Sequence, residues 1–161
     1  MRGVSAVGAW FGVVPFSLLM VGWLLWRRRF RAGLFFALSM LAVRALEHAG
    51  KVVLGRHRPS LWLSSAPQRS FGFPSGHALA AMALATALGV LAWPTRARWW
   101  VVGCGACFVL LVSTARLYLG VHYPTDVLGA WLAALAWVMV LRRLLLTGRG
   151  TTRGPERASR W

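Results

Sequence analysis

The sequence predicts an all-α protein, a polytopic transmembrane bundle of about five helices. Three observations carry this reading. Apolar residues make up 58% of the 161 residues, above the roughly 45–50% of soluble domains. They gather into runs at residues 4–26, 32–54, 75–93, 99–118 and 126–146, each about the length that crosses a bilayer as a helix. The charges between the runs are one-sided, with nineteen Lys or Arg against only three acidic residues, for a net charge of +16.

The first run ends in Trp23 and Trp26, followed by Arg27, Arg28, Arg29 and Arg31. Its apolar core is longer than that of a signal peptide and its stronger charge follows it, so it reads as a signal anchor with the N-terminus outside. The second run leads into a polar loop at residues 55–74. The third contains Ala81, Ala85 and Gly89, a small-residue repeat that lets another helix come close or is plain alanine filler. A short basic turn with Arg96 and Arg98 precedes the fourth run. That run holds Cys104 and Cys107; a lone Cys-x-x-Cys lacks the second pair of a zinc site, so both read as small packing residues. Residues 1–146 form a single transmembrane domain in this reading. The Gly- and Arg-rich tail at 147–161 has no apolar periodicity and reads as disordered.

Charge also sets the orientation. With five spans, the first and third loops and the tail share one side, and their arginines make it cytoplasmic. Trp23, Trp26, Trp93, Trp99 and Trp100 flank those loops, as an interfacial aromatic belt does. Because topology accounts for the arginines, nucleic acid is rejected as a partner. The acidic residues are Glu47, Asp126 and Glu156, too few near one place for the oxygen ligands of Mg²⁺ or Ca²⁺.

The polar residues left over need a reason, because a charge deep in a bilayer costs roughly 2.5–3.5 kcal/mol on insertion scales. In the second run Arg44, His48 and Lys51 follow i, i+4, i+7 spacing and share one face, expected to point into the bundle. Glu47 is within reach of Arg44 and of Lys51, so a structural ion pair is expected, and His48 reads as an interior histidine. Lys51, Arg58 and Arg116 come from separate segments at the outer ends of runs. With no matching carboxylates evident, they suggest an anion, and Arg and Lys both suit phosphate.

Pro74-Ser75-Gly76-His77 opens the third run. Ser75 suits an N-cap, and the first amides of a helix cradle phosphate, although Ser-Gly also serves as a plain cap. His122 precedes Asp126 by one helical turn across Tyr123-Pro124-Thr125. Asp126 can then take a hydrogen bond from one imidazole nitrogen and leave the other as a nucleophile; a structural cap pair fits equally well. His77 is positioned to act as general acid.

Together these segments resemble the type 2 phosphatidic acid phosphatase (PAP2) superfamily. Its signatures are Lys-x6-Arg-Pro, here Lys51 to Arg58-Pro59; Pro-Ser-Gly-His, here residues 74–77; and Ser-Arg-x5-His-x3-Asp, here Arg116, His122 and Asp126. The match covers residues 44–135 and departs at Ala115, where the motif has serine; Ser113 stands two residues earlier. The resemblance implies a PAP2-like core and a metal-independent phosphatase without cofactor that works through a phosphohistidine. It makes His122 the nucleophile, Asp126 its orienter and His77 the acid, with Lys51, Arg58, Ser75, Gly76 and Arg116 on the phosphate. Membrane members typically carry one helix more than is read here, the shortfall lying before Lys51. The substrates implied are undecaprenyl diphosphate, phosphatidylglycerophosphate or phosphatidic acid, met at the extracytoplasmic face of a bacterial inner membrane. A lipid phosphotransferase using the same covalent step, and a non-catalytic anion-binding membrane protein, are the rival readings.

Overall fold

The structure is a computed structural model and describes residues 12–57 and 71–147. Within them the regular structure is helical, in five elements: α1 (Val13–Trp26), α2 (Phe30–Leu54), α3 (Gly76–Ala92), α4 (Arg98–Tyr118) and α5 (Pro124–Leu146). The five expected runs therefore correspond to five helices, with ends displaced by a residue or two, except that the first run's expected start at residue 4 lies outside the described residues and its helix is described from Val13. α5 starts two residues earlier than the apolar run because Pro124 occupies its first turn, where a fixed φ and a missing N–H suit a helix start. α2 stops at Gly55 and α4 just before Gly120, both in the left-handed region at φ 49° and 63°, the usual glycine stop.

α2, α4 and α5 are long and apolar enough to cross a membrane, while α1 and α3 are shorter apolar helices. At 17 residues, α3 reaches the lower end of the roughly 17–25 that span a bilayer. Only 28% of each long helix's apolar window is buried. Leu18, Leu19, Leu41, Leu111, Leu132 and Leu144 all stand outward, each more than 60% exposed. An exterior of this kind suits lipid rather than water.

α3 is the central element. It packs on α4, α5 and α2, with a lighter contact to α1, and buries Ala78, Leu79, Ala81, Ala83, Leu84 and Ala87 around its circumference. Small residues make this possible, because they let backbones approach. A Cβ on Gly105 of α4 would stand 3.1 Å from that of Ala85, and Ala81 packs with Val109 and Val112. The alanine repeat is thus a helix-packing face. Cys104 and Cys107 are exposed on α4 and do not pack the bundle as expected. Where hydroxyls are buried they bond to their own helix: Ser17 donates to Val13 O at 2.6 Å and Ser39 to Phe35 O at 2.8 Å.

One expected helix face is corrected. Arg44 and His48 are exposed, not buried in the bundle. The buried stripe of α2 runs through Phe36, Ser39 and Val43, and the next steps of three or four residues reach Glu47 and Gly50. That phase turns Glu47 inward, to 16% side-chain exposure, and leaves Arg44 and His48 exposed.

Candidate active site

The helices alternate in direction, so residues 55–57, residues 71–75 and the α4–α5 turn meet at one end of the bundle, at the start of α3. Ser75 N donates to Asp126 O at 3.2 Å, tying the first residue before α3 to the first turn of α5. Phe73 and Pro74 are clamped from both sides. The Phe73 ring occupies the space where a Cβ on Gly129 would stand, and Pro74 lies against Gly50 of α2. Gly76 has a similar reason: a Cβ there would come within 2.5 Å of Glu47 Oε1. The Pro-Ser-Gly-His segment is thus placed by α2 and α5 together, not by its own conformation alone.

Ser75 sits at the N-cap position of α3, but its side chain makes no cap bond. It is fully buried, and among the described residues Ser75 Oγ has no hydrogen-bond partner. Gly76 and His77 form the first turn. His77, with Gly76, Glu47 and Arg44, lies at the polar end of a mostly apolar cavity of about 520 Å³ between α1, α2 and α3, whose other walls include Ser17, Met40 and Val43. Arg116, in the last turn of α4, is only 4% exposed. It continues the inward stripe of Val109, Val112 and Ser113, so the helix phase that packs α4 also delivers the guanidinium. Trp131 Nε1 donates to Ser113 Oγ at 3.2 Å, which engages that hydroxyl two residues away from the motif position held by the buried Ala115.

His122 and Asp126 are both buried, at 5% and 0% exposure. Nδ1 of His122 stands 3.6 Å from Asp126 Oδ2, near enough for electrostatic contact and a few tenths of an ångström beyond a hydrogen bond. The same Oδ2 accepts from Tyr123 N at 2.8 Å, and Asp126 N donates back to Tyr123 O at 3.0 Å. Asp126 therefore caps α5 and neighbours the imidazole at once. Nδ1 is the ring nitrogen turned toward the carboxylate.

Lys51 is placed at the same end, but its ammonium pairs with Glu47, which also accepts from Arg44 Nη1 at 3.2 Å. The expectation that Lys51 lacks a matching carboxylate is thus corrected, and the reason is the inward turn of Glu47. The Arg44–Glu47 pair forms as expected, while His48 is exposed, not interior. Arg58 and Pro59 lie outside the described residues. Among the described residues, no group of three or more His, Cys, Asp or Glu is arranged to hold a metal.

One contact was not anticipated. Arg56 Nη1 donates to Asp126 Oδ1 at 3.2 Å and to Thr125 Oγ1 at 2.6 Å, and its guanidinium lies 4.4 Å from the centroid of the Tyr123 ring.

The family model for the PAP2 superfamily matches residues 32–149. The chain belongs to the PAP2 superfamily. Among curated proteins it is 28% identical over 144 residues to an undecaprenyl-diphosphatase of Sulfolobus acidocaldarius, across 86% of this chain and 65% of that protein. It is also 28% identical over 136 residues to phosphatidylglycerophosphatase B of Bacillus subtilis, across 81% of this chain and 66% of the relative. The PAP2 chain therefore spans slightly less than two thirds of each. A crystal structure of a transmembrane PAP2-type phosphatidylglycerolphosphate phosphatase from Bacillus subtilis superposes with a TM-score of 0.78 at 26% identity, covering 89% of this chain and 73% of that one. The fold expected from the motifs is accordingly the fold of this PAP2 protein.

Proposed function

We propose that the protein is a metal-independent membrane phosphatase that hydrolyses a lipid phosphate or diphosphate through a phosphohistidine. The observation that carries this reading is the fully buried Ser75 hydroxyl, without a hydrogen-bond partner among the described residues, at the start of α3. A buried hydroxyl left unbonded costs on the order of 1–3 kcal/mol. A phosphate oxygen at a helix N-terminus would satisfy it while accepting from the first amides of α3. Buried Arg116 and, outside the described residues, Arg58 would add charge-assisted bonds.

In the reaction, Nε2 of His122 attacks phosphorus and forms a P–N bond while the bond from phosphorus to the lipid oxygen breaks. The electron pair leaves on that oxygen, and His77 supplies its proton. Asp126 steadies the imidazolium that results. Water then attacks the phosphohistidine, giving a proton back to His77 as phosphate departs and His122 is restored. Lys51 would exchange Glu47 for a phosphate oxygen.

The chemistry suits undecaprenyl diphosphate, phosphatidylglycerophosphate or phosphatidic acid, the first two being what the relatives are named for. The apolar cavity beside His77 could take the first carbons of the tail. Arginine and tryptophan at the far end of the bundle favour a cytoplasmic location for that end, which supports an extracytoplasmic site. The test is phosphate release from a panel of these lipids by purified protein in excess EDTA, with trapping of labelled phosphate on protein. Release with chelator present, and label absent from His122→Ala, support the reading. Complete loss of activity in EDTA contradicts it, transfer of the label to an acceptor lipid makes the protein a phosphotransferase, and binding without turnover of any lipid makes it an anion-binding protein.

A further inference from the structure

We propose that Arg56 is a positioning residue: it holds the Asp126 carboxylate in place beside His122 and so sets the aim of the nucleophile. The inference rests on the phosphatase reading above. Arg56 lies just past the end of α2, at one of the six positions that the Lys51-to-Arg58 signature leaves open.

Asp126 is fully buried, and a buried carboxylate stays ionised only with partners. Those seen here divide between its two oxygens. Oδ2 takes the Tyr123 amide at 2.8 Å and faces His122 Nδ1 at 3.6 Å. Oδ1 takes Arg56. The guanidinium is therefore a second fixed point on the carboxylate, and it decides how far Oδ2 stands from the imidazole. A movement of a few tenths of an ångström separates the observed 3.6 Å from a hydrogen bond.

Arg56 is itself held by the elements it joins. Its guanidinium rests on the Tyr123 ring and bonds Thr125, so it grips three residues of the α5 start. Its carbonyl accepts from Gly72 N at 2.7 Å, in the segment that leads to Ser75. One residue thereby links the strands of chain that carry the phosphate cradle and the nucleophile. Arginine suits this double task, because its planar fork can stack and donate in its plane at once. Lysine would restore the charge but neither the stacking nor the paired bonds. The side chain is 41% exposed, so its loss leaves no buried hole.

The experiment measures kcat and KM of the full chain for undecaprenyl diphosphate and phosphatidylglycerophosphate, with Arg56→Ala, Arg56→Lys, Asp126→Asn and the Arg56→Ala/Asp126→Asn double variant. Arg56→Ala is expected to lower kcat on the order of tenfold to a hundredfold, the scale of a small misplacement of a reacting group, with KM unchanged. Arg56→Lys recovers part of it. In the Asp126→Asn background Arg56→Ala adds no more than about a twofold loss, because the group it acts through is already changed. An equal loss in both backgrounds, a raised KM at constant kcat, or no effect at all overturns the proposal; the second would make Arg56 a phosphate contact. A wild type that turns over no lipid phosphate sinks the phosphatase reading alone. The Arg56–Asp126 coupling is then read from melting temperatures of the same proteins in detergent, where non-additive shifts are expected and additive ones refute it.

Discussion

At the Arg98 end of the bundle Arg27 and Arg98 lie on the faces of exposed tryptophans; at the Arg116 end Arg116 is buried, and Arg56 and Lys51 are paired with carboxylates. Arg98 stands 5.9 Å from the Trp93 ring centroid and 5.6 Å from that of Trp99, and Arg27 stands 5.8 Å from Trp23. Those rings are 45–65% exposed, so the charges remain solvated. At the other end Arg116 is 4% exposed, Arg56 reaches Asp126, and Lys51 reaches Glu47. Both acidic residues of the described chain are there. The contrast teaches that arginine content says little about function until burial is known. An exposed arginine beside tryptophan costs almost nothing and marks an interface. A buried one requires an anion, from the protein or from a ligand.

If that contrast is functional, the largest effect belongs to the most buried reactive group. His122→Ala should reduce phosphate release by roughly a thousandfold or more, the scale seen when a covalent nucleophile is removed. The helical circular dichroism and the elution position in detergent should be unchanged. Full activity in this variant would break the comparison at its centre, since the buried end would then hold no chemistry.

Ser75→Ala should have a smaller and more diagnostic effect. A bond from a hydroxyl to a charged phosphate contributes about 1.5–3 kcal/mol, so activity should fall on the order of tenfold to a hundredfold. Folding stability without ligand should not fall and should rise by up to about 1–3 kcal/mol, because the fully buried hydroxyl bonds to nothing among the described residues. Activity and melting temperature falling together would instead mean that Ser75 is an ordinary structural cap.

Most of the bundle and much of this site were legible in the sequence, for a physical reason. In a lipid-facing helix nearly every position is apolar, so the few polar residues stand out and their spacing is informative. Ser75, His77, Arg116, His122 and Asp126 could be grouped on that basis, and Pro124 with Asp126 marked the start of α5. Arg56 could not. In a chain with nineteen basic residues one more arginine in a loop carries no signal, and its partners lie 69 and 70 positions away. The inward turn of Glu47 was available but missed. Polar residues at 44, 48 and 51 suggested one face, whereas the phase is set by the bulkier stripe through Phe36 and Val43. Gly129 reads as one more small residue in a membrane helix; only the Phe73 ring lying against it gives it a task.

The smallest effect is expected at the solvated end, and it is the sharpest control. Arg98→Gln removes a cation from two tryptophan faces. An exposed contact of this kind contributes about 0.5–1 kcal/mol, and both rings lie at the opposite end of the bundle from His77 and His122. Trp93 follows the far end of α3 and Trp99 opens α4, a full helix length from Ser75 and Arg116. Phosphate release should therefore match wild type within about twofold, with a slightly lower melting temperature. Such a result would show that position along the helix axis, rather than arginine as such, separates the two ends. A loss comparable to that of Ser75→Ala would show that the ends are coupled through α3, and the division between an anchoring end and a reactive end would have to be given up.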